Sequence, residues 1–274
     1  MIAVFTATLI LILSTCGCQA KSVTVVVAGS TSVQPYVEVL TEVYEHIYPE
    51  RKVDVQGGGS SAGITAAQTE TADIGMSSRA LKGSELELWS IEIAKDGLAI
   101  IVNPKCPIQD LRMEQIRCIF NGSITNWNEL GGQNAKIHLI AREEGSGTRS
   151  AFEDLVMGGE RLTPKAIIQD SNGAVRQLVS NDPNAIGYIS LGLVNHTVKA
   201  IRFDKVTATI ENVINGSYNL TRPFLFVTSS QPKGEVKLFI DFTISAEGQR
   251  QLMNEGLIPV IEASKLKGLK DEDF

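Results

Sequence analysis

A short stretch near the middle of the chain combines an arginine with glycines and hydroxyl side chains. It reads Arg-Glu-Glu-Gly-Ser-Gly-Thr-Arg and runs from Arg142 to Arg149. An apolar segment, residues 137–141, precedes it, and an amphipathic segment follows, which predicts a strand, a turn and a helix. The glycines let the backbone approach a bound group closely, and Ser146 and Thr148 carry hydroxyls that can donate hydrogen bonds. With the unpaired N–H groups of a helix start and the guanidinium of Arg142, this pattern is typical of a site for a tetrahedral oxyanion.

A capped helix after a tight turn would explain that stretch equally well, but the chain repeats the arrangement. Three predicted strands in the first third end in hydroxyl-rich turns, at residues 29–32, 57–63 and 77–79. In an open parallel sheet, ligands bind beyond the carboxyl ends of the strands. The triple glycine at 57–59 could instead belong to a flexible linker, although its place between a strand and a helix argues against that. The candidate binding residues in these turns are Ser30, Thr31, Ser32, Ser60, Ser61, Ser78 and Arg79.

Composition restricts the classes of function. The chain has 274 residues, of which 43% are hydrophobic and 20% charged, as in a packed globular protein. Its net charge is −6, which argues against nucleic acid as a partner. An acidic chain must bind an anion through a local site, because its overall field gives no help.

The first residues resemble an export signal. Residues 1–13 are nearly continuous apolar sequence and lead into Ser-Thr-Cys-Gly-Cys, although no Lys or Arg precedes them. This length fits a secretory signal, and a buried first strand is the alternative. The small residues resemble a bacterial lipobox. We therefore predict a signal peptide over residues 1–18 and lipidation of Cys18, or else Cys16.

The other cysteines and the histidines predict no metal site. Cys106 and Cys118 have neither CxxC nor His spacing, and they are read either as a disulfide or as two buried thiols. The histidines stand apart from the glycine and serine turns. A serine hydrolase would need a Gly-x-Ser-x-Gly elbow, which is absent. We therefore predict a protein that is not an enzyme and has no cofactor.

Alternating strands and helices predict an α/β fold with two doubly wound domains. The chain is expected to leave the first domain near residue 103 and to return after residue 188. The predicted domains are 22–102 with 191–274, and 103–190. A cleft between them would carry the serine turns on one wall and Arg142 to Thr148 on the other.

These motifs, in this order, resemble the phosphate-binding proteins of bacterial ABC phosphate importers, the PstS-like proteins. The motifs are Gly-Ser-Thr-Ser from Gly29, Gly-Gly-Gly-Ser-Ser-Ala-Gly from Gly57, Asp-Ile-Gly-Met-Ser from Asp73, Phe-Asn-Gly from Phe120 with Trp127, Arg142 to Arg149, and Ala-Ile-Gly-Tyr from Ala185. The resemblance implies a periplasmic-binding-protein fold of the second type with two hinge crossings, and a monomer that delivers inorganic phosphate to a permease. Receptors for another oxyanion such as sulfate, or an adhesion or signalling protein on this fold, are the alternatives.

The resemblance also implies the ligand contacts. They fall on Thr31, the backbone of Ser32, Ser60, the position of Ser78, Arg142, Ser146, Gly147 and Thr148. Glu144 matches the acidic residue that holds the arginine. Many relatives have an aspartate at the position of Ser78, which accepts a proton from phosphate. Because a serine stands here, Asp96 is predicted to be the replacement acceptor.

Overall fold

The computed structural model describes residues 24–261 of the protein. The predicted signal peptide and the lipidated cysteine, Cys18 or Cys16, lie outside these residues. Within them, no helix has the length and apolar character needed to cross a membrane.

The first part of the chain builds three strands of a parallel arrangement. β1 pairs in parallel with both β2 and β3, so the turns that follow β1 and β3 open at one edge. Pro35 in the first turn of α1 fits the fixed φ of a helix start, and the helix buries Val37 and Leu40 on one face. The elements are β1 (Thr24–Gly29), α1 (Gln34–Ile47), β2 (Lys52–Gly57), α2 (Ser60–Gln68) and β3 (Ile74–Ser77).

The middle of the chain forms the second lobe, and the last part returns to the first. The strand that leads across is β4 (Trp89–Val102). The middle elements are β5 (Asp110–Leu111), α3 (Met113–Asn121), β6 (His138–Arg142), α4 (Gly147–Phe152), β7 (Ile167–Gln169), α5 (Asn172–Asn181), β8 (Ala185–Ser190), β9 (Lys199–Ala200), β10 (Arg202–Phe203) and α6 (Ile210–Ile214). The returning elements are β11 (Thr221–Thr228), α7 (Gly234–Thr243), α8 (Ala246–Asn254) and β12 (Ile258–Pro259).

One curled sheet runs through both lobes. Its order in the described chain is β2-β1-β3-β11-β4-β8-β6-β7, with β9 and β12 also paired to β4. β11 is antiparallel to β3 and β4, whereas β6 is parallel to β7 and β8. This α/β architecture agrees with the sequence prediction.

The two crossings between the lobes lie side by side. β4 pairs with β11 up to Gly97 and with β8 from Leu98 onward. Gly97 is the register partner of Thr221, and Asp96 is the partner of Arg222. The hinge therefore consists of two neighbouring antiparallel strands.

The hydrophobic cores divide the chain at different places from the predicted boundaries. The first core holds Val27, Leu40 and Phe226 among others, and its members end at Ala94 and resume at Phe224. The second core contains residues 98–102 and also Val198 to Leu220. The predicted boundaries at 102 and 191 therefore differ from this division. The sequence shows an apolar strand at 97–102, but not which core its side chains enter.

Candidate functional site

Three serines from the first lobe form a cluster of hydroxyls at the carboxyl edge of the sheet. Ser30 follows β1, Ser60 begins α2, and Ser78 follows β3. The Ser30 hydroxyl donates to Ser78 Oγ at 2.9 Å, and the Oγ atoms of Ser60 and Ser78 are 3.3 Å apart. The backbone N–H of Ser78 donates to Ser60 Oγ at 3.0 Å. We call these residues the serine cluster, and all three are buried.

Arg142 enters from the second lobe at the end of β6, and it is 1% exposed. Its Nε and Nη2 donate to the two carboxylate oxygens of Glu143, both at 2.9 Å. Nη2 also donates to Thr31 Oγ1 at 3.0 Å, which joins the lobes. Nη1 is buried and has no hydrogen-bond partner among the described residues. A buried charged donor without a partner is costly, so this nitrogen points to a bound acceptor.

The arginine-orienting residue is Glu143 and not Glu144, so that prediction was wrong. The Glu144 side chain is 92% exposed, and its nearest cation is Arg149 at 3.9 Å. Glu143 follows the last residue of β6 directly, and its carboxylate reaches back along the Arg142 side chain. The two adjacent glutamates are equivalent by residue type, and only the backbone geometry of the turn separates them.

The stretch after Arg142 brings α4 against the serine cluster. Ser146 caps α4, because its Oγ accepts from the backbone N–H of Arg149 at 3.3 Å. Gly145 has a φ of +87°, a conformation that favours glycine, and it makes the turn that starts the helix. Thr148 Oγ1 lies 2.7 Å from Ser32 Oγ of the first lobe. The predicted contacts Thr31, Ser32, Ser60, Ser78, Arg142 and Thr148 thus come together, with Gly147 against them.

Gly147 of the second lobe lies against the serine cluster of the first. A Cβ built there would lie 2.2 Å from Ser60 Oγ and 2.4 Å from Ser78 Oγ. We expect Gly147→Ala to keep the fold, because alanine has a higher helix propensity than glycine, but to hold the lobes apart and weaken anion binding about tenfold or more. The measurement is isothermal titration of the variant with phosphate beside Gly173→Ala, whose added Cβ would meet only the Ser171 hydroxyl, at 3.9 Å. Native affinity in Gly147→Ala would contradict this reading of the contact.

Arg79 and Ser61 lie beside the cluster rather than in it. The Arg79 guanidinium donates to both oxygens of Glu85, at 2.7 and 2.8 Å, and to Ser61 Oγ at 3.3 Å. The hydrogen bond from Arg79 holds the pKa of the Glu85 carboxyl below its usual value. These donors of Arg79 already have partners in the first lobe, so its role as an anion ligand stays a prediction. The Ser61 backbone N–H donates across the lobes to the carbonyl of Gly145.

Asp96 is fully buried but is not free to accept a proton from an anion, contrary to the prediction. Arg222 donates to its Oδ2 from Nε at 3.0 Å and from Nη2 at 2.8 Å, and Ser190 Oγ donates to its Oδ1 at 2.8 Å. Burial raises the pKa of the Asp96 carboxyl and lowers that of the Arg222 guanidinium, and each charge opposes the other's shift. The two residues form a buried ion pair at the hinge.

Sequence reasoning missed Arg222, which belongs to this site. Its Nη1 donates to Thr148 Oγ1 at 2.8 Å and lies 3.4 Å from the carbonyl oxygen of Ser78. The signal available was a single arginine inside an apolar strand. Its partner Asp96 is distant in sequence, and the following Pro223 interrupts the strand pattern. Asn172, at the start of α5, was also missed, and its Nδ2 donates to Ser32 Oγ at 2.7 Å.

The remaining predicted groups lie away from the site. Cys106 and Cys118 are free thiols, and burial raises the pKa of Cys106. His138 pairs with Asp182 on the second lobe. Within residues 24–261, no group of His, Cys, Asp and Glu side chains is arranged to hold a metal ion.

Known proteins resemble this chain in both sequence and fold. The PBP superfamily domain matches residues 18–247 of the chain. The phosphate-binding protein PstS of Bacillus subtilis is 30% identical over 252 residues, which is 90% of this chain and 84% of the relative. The chain belongs to the PstS-like proteins of the PBP superfamily. Proteins of this family are substrate-binding proteins, and the predicted two-lobed fold is thereby confirmed.

Two solved structures of phosphate transport receptors are similar to the chain in sequence and in fold. One, from Clostridium perfringens, is described as a phosphate ABC transporter substrate-binding protein with bound phosphate. It is 44% identical with a TM-score of 0.84, covering 87% of this chain and 100% of that one. The other is an ABC-type phosphate transport receptor from Vibrio cholerae. It is 39% identical with a TM-score of 0.73, covering 86% and 100%.

Proposed function

We propose that this protein captures inorganic phosphate between its lobes and delivers it to an ABC permease. The observation that carries the proposal is the buried Nη1 of Arg142, which has no partner among the described residues. It lies on a side chain that already reaches across to Thr31 of the other lobe. We infer the identity of the ligand and of the transporter from the names of three relatives, which are from Bacillus subtilis, Clostridium perfringens and Vibrio cholerae.

The contacts of the hydroxyls favour binding over catalysis. In the described chain, Ser30, Ser60 and Ser78 bond to one another and to backbone groups. Ser32 and Thr148 bond to each other, to Asn172 and to Arg222. A nucleophilic serine needs an adjacent general base, and these partners are donors or neutral hydroxyls. We therefore infer a receptor that is not an enzyme.

Charge balance at the site favours hydrogen bonding as the source of affinity. Arg142 faces Glu143, and Arg222 faces Asp96, so each guanidinium already has a carboxylate. A bound anion must then be held by directed donors, each worth roughly 1.5–3 kcal/mol when charge-assisted. Several such bonds can supply the approximately −8 kcal/mol of micromolar binding.

Isothermal titration of the purified protein tests this function. We expect heat and a raised melting temperature with phosphate, and a similar response to arsenate, which has the same shape and protonation. Sulfate is the informative comparison, because hydroxyls can donate hydrogen bonds to a fully deprotonated anion as well as accept one from a protonated anion. If the protein binds sulfate more tightly than phosphate, its ligand is sulfate and not phosphate. Absence of heat and of a melting shift in millimolar phosphate would contradict the proposal.

We also propose that the mature protein acts outside the cytoplasm as a monomer anchored through Cys18, or else Cys16. The support is the apolar segment of residues 1–13 with the small residues before the cysteines. Acyl chains contribute about 0.8 kcal/mol per buried CH₂, which makes a diacylated cysteine a firm anchor. Mass spectrometry of membrane-extracted protein should find a modified cysteine at the first residue. An unmodified form that starts after Cys18 would contradict the anchor.

A further inference from the structure

Two hydroxyls face each other where the lobes meet, and the direction of their protons matters for an anion. Thr148 Oγ1 of the second lobe and Ser32 Oγ of the first are 2.7 Å apart, and either can be the donor. Both side chains are buried, at 0% and 1% exposure. A hydroxyl has one proton to donate and two lone pairs that accept. An anion gains from the pair only if the protons are free to turn toward it.

Thr148 accepts a hydrogen bond from a charged donor. Arg222 Nη1 donates to Thr148 Oγ1 at 2.8 Å, and a guanidinium has no acceptor. Thr148 Oγ1 must therefore accept in this contact, so its proton points elsewhere. Asp96 holds the guanidinium in place through Nε and Nη2. A hydroxyl that accepts from a cation is also polarised and becomes a better donor.

Ser32 likewise accepts a hydrogen bond, in this case from a neutral donor. Asn172 Nδ2 donates to Ser32 Oγ at 2.7 Å. The orientation of the amide is set on its other side, because Asn172 Oδ1 accepts from the backbone N–H of Ser190 at 3.2 Å. The Ser190 hydroxyl donates to Asp96. Ser190 thus connects Asn172 with the Asp96–Arg222 pair in one buried hydrogen-bond network.

We propose that Arg222 and Asn172 are positioning residues that turn the hydroxyl protons of Thr148 and Ser32 toward a bound phosphate. Each hydroxyl accepts a hydrogen bond from its positioning residue, so neither proton is needed for that contact. One of the two protons bridges the pair of hydroxyls, and both can turn toward a bound anion. Arg222 links this arrangement to the hinge, since it lies on one crossing strand and Asp96 on the other. The inference rests on the proposed function, because it names the groups that prepare that site.

A double-mutant cycle on phosphate affinity tests the role of Arg222. The variant is Asp96→Asn combined with Arg222→Gln, which removes both charges of the buried pair so that neither is left unpaired. The Gln side chain is too short to reach Thr148. With Thr148 present, we expect affinity to fall about tenfold to a hundredfold, the range for loss of a charge-assisted hydrogen bond. In a Thr148→Ala background, the same change should cost less than about threefold, because the hydroxyl it orients is gone.

A second cycle pairs Asn172→Ala with Ser32→Ala and keeps the inference testable if the first variant folds poorly. We expect Asn172→Ala to weaken phosphate binding about fivefold alone and to add little once Ser32→Ala is present. Arg117→Gln is the control, because its Nε donates to a backbone carbonyl, that of Val156, in the second lobe. It should bind phosphate as the native protein does.

The outcomes separate this inference from the proposed function. Equal losses with and without the hydroxyls would show that Arg222 and Asn172 act only on the fold, and would overturn the positioning role. The positioning role would also be overturned if phosphate affinity were unchanged both in the Asp96→Asn, Arg222→Gln variant and in Asn172→Ala. If the native protein takes up no phosphate, the proposed function fails and the inference falls with it. Native binding with fully additive losses contradicts the inference alone.

Discussion

Replacing Arg142 by alanine should reduce phosphate affinity at least about a hundredfold, since two charge-assisted hydrogen bonds contribute roughly 1.5–3 kcal/mol each. The expectation follows from the two functions of this side chain. Its Nη2 donates to Thr31 across the lobes at 3.0 Å, and its Nη1 is a buried donor without a hydrogen-bond partner among residues 24–261. Alanine removes both at once. Isothermal titration of native and variant protein measures the change.

Arg149→Ala is the matched control for that loss. Arg149 lies on the next turn, donates to Glu153 at 2.8 Å and is 19% exposed in its side chain. Its removal should change phosphate affinity less than about threefold, as expected for a partly exposed ion pair. Equal losses in the two variants would mean that the wrong arginine has been assigned. Circular dichroism should show that both variants remain folded, because Glu143 reaches solvent and can be hydrated without its partner.

Asp96→Asn should destabilise the protein by about 3–5 kcal/mol, the usual cost of removing one partner from a buried ion pair. Arg222 and Asp96 are 1% and 0% exposed in their side chains, so water cannot replace the lost charge. Arg222 would keep its positive charge with only dipoles around it. The melting temperature should fall by roughly 10 °C or more, from the relation between stability and melting for a chain of this size.

Asp154→Asn gives the comparison for this prediction. Asp154 pairs with Lys82 at 2.7 Å, but both side chains are about half exposed, at 55% and 52%. Its loss should cost at most about 1 kcal/mol. A small melting shift for Asp96→Asn, no larger than that of Asp154→Asn, would show that the hinge pair does not hold a buried charge.

The parts of the site predicted from sequence are those encoded by local pattern. Glycine and serine turns after apolar strands indicate where parallel strands end, and Ser30, Ser60 and Ser78 come together for that reason. Arg142 was identified because it stands between a strand and a glycine turn. Such signals need only neighbouring residues, and the order of the motifs then identifies the family.

The parts that were missed depend on pairing between distant segments. Arg222 meets Asp96 because two antiparallel strands have that register, and Asn172 meets Ser32 across the lobes. Neither contact leaves a periodic signal in the sequence. The choice between Glu143 and Glu144 failed for a related reason, because side-chain direction in a turn is set by backbone angles. The predicted domain boundaries stay a prediction, because the sheet is continuous through β4 and the hydrophobic cores divide the chain at other residues.

The side-by-side crossings also determine what a partner of this protein can detect. A bend at Gly97 and Thr221 would reorient the lobes without changing the contacts inside each hydrophobic core. Each lobe would then behave as a rigid surface, and the angle between the two surfaces is the quantity that such a bend would change. A protein that touches one lobe sees the same surface in either state. A protein that touches both lobes can distinguish a loaded receptor from an empty one without contacting the anion.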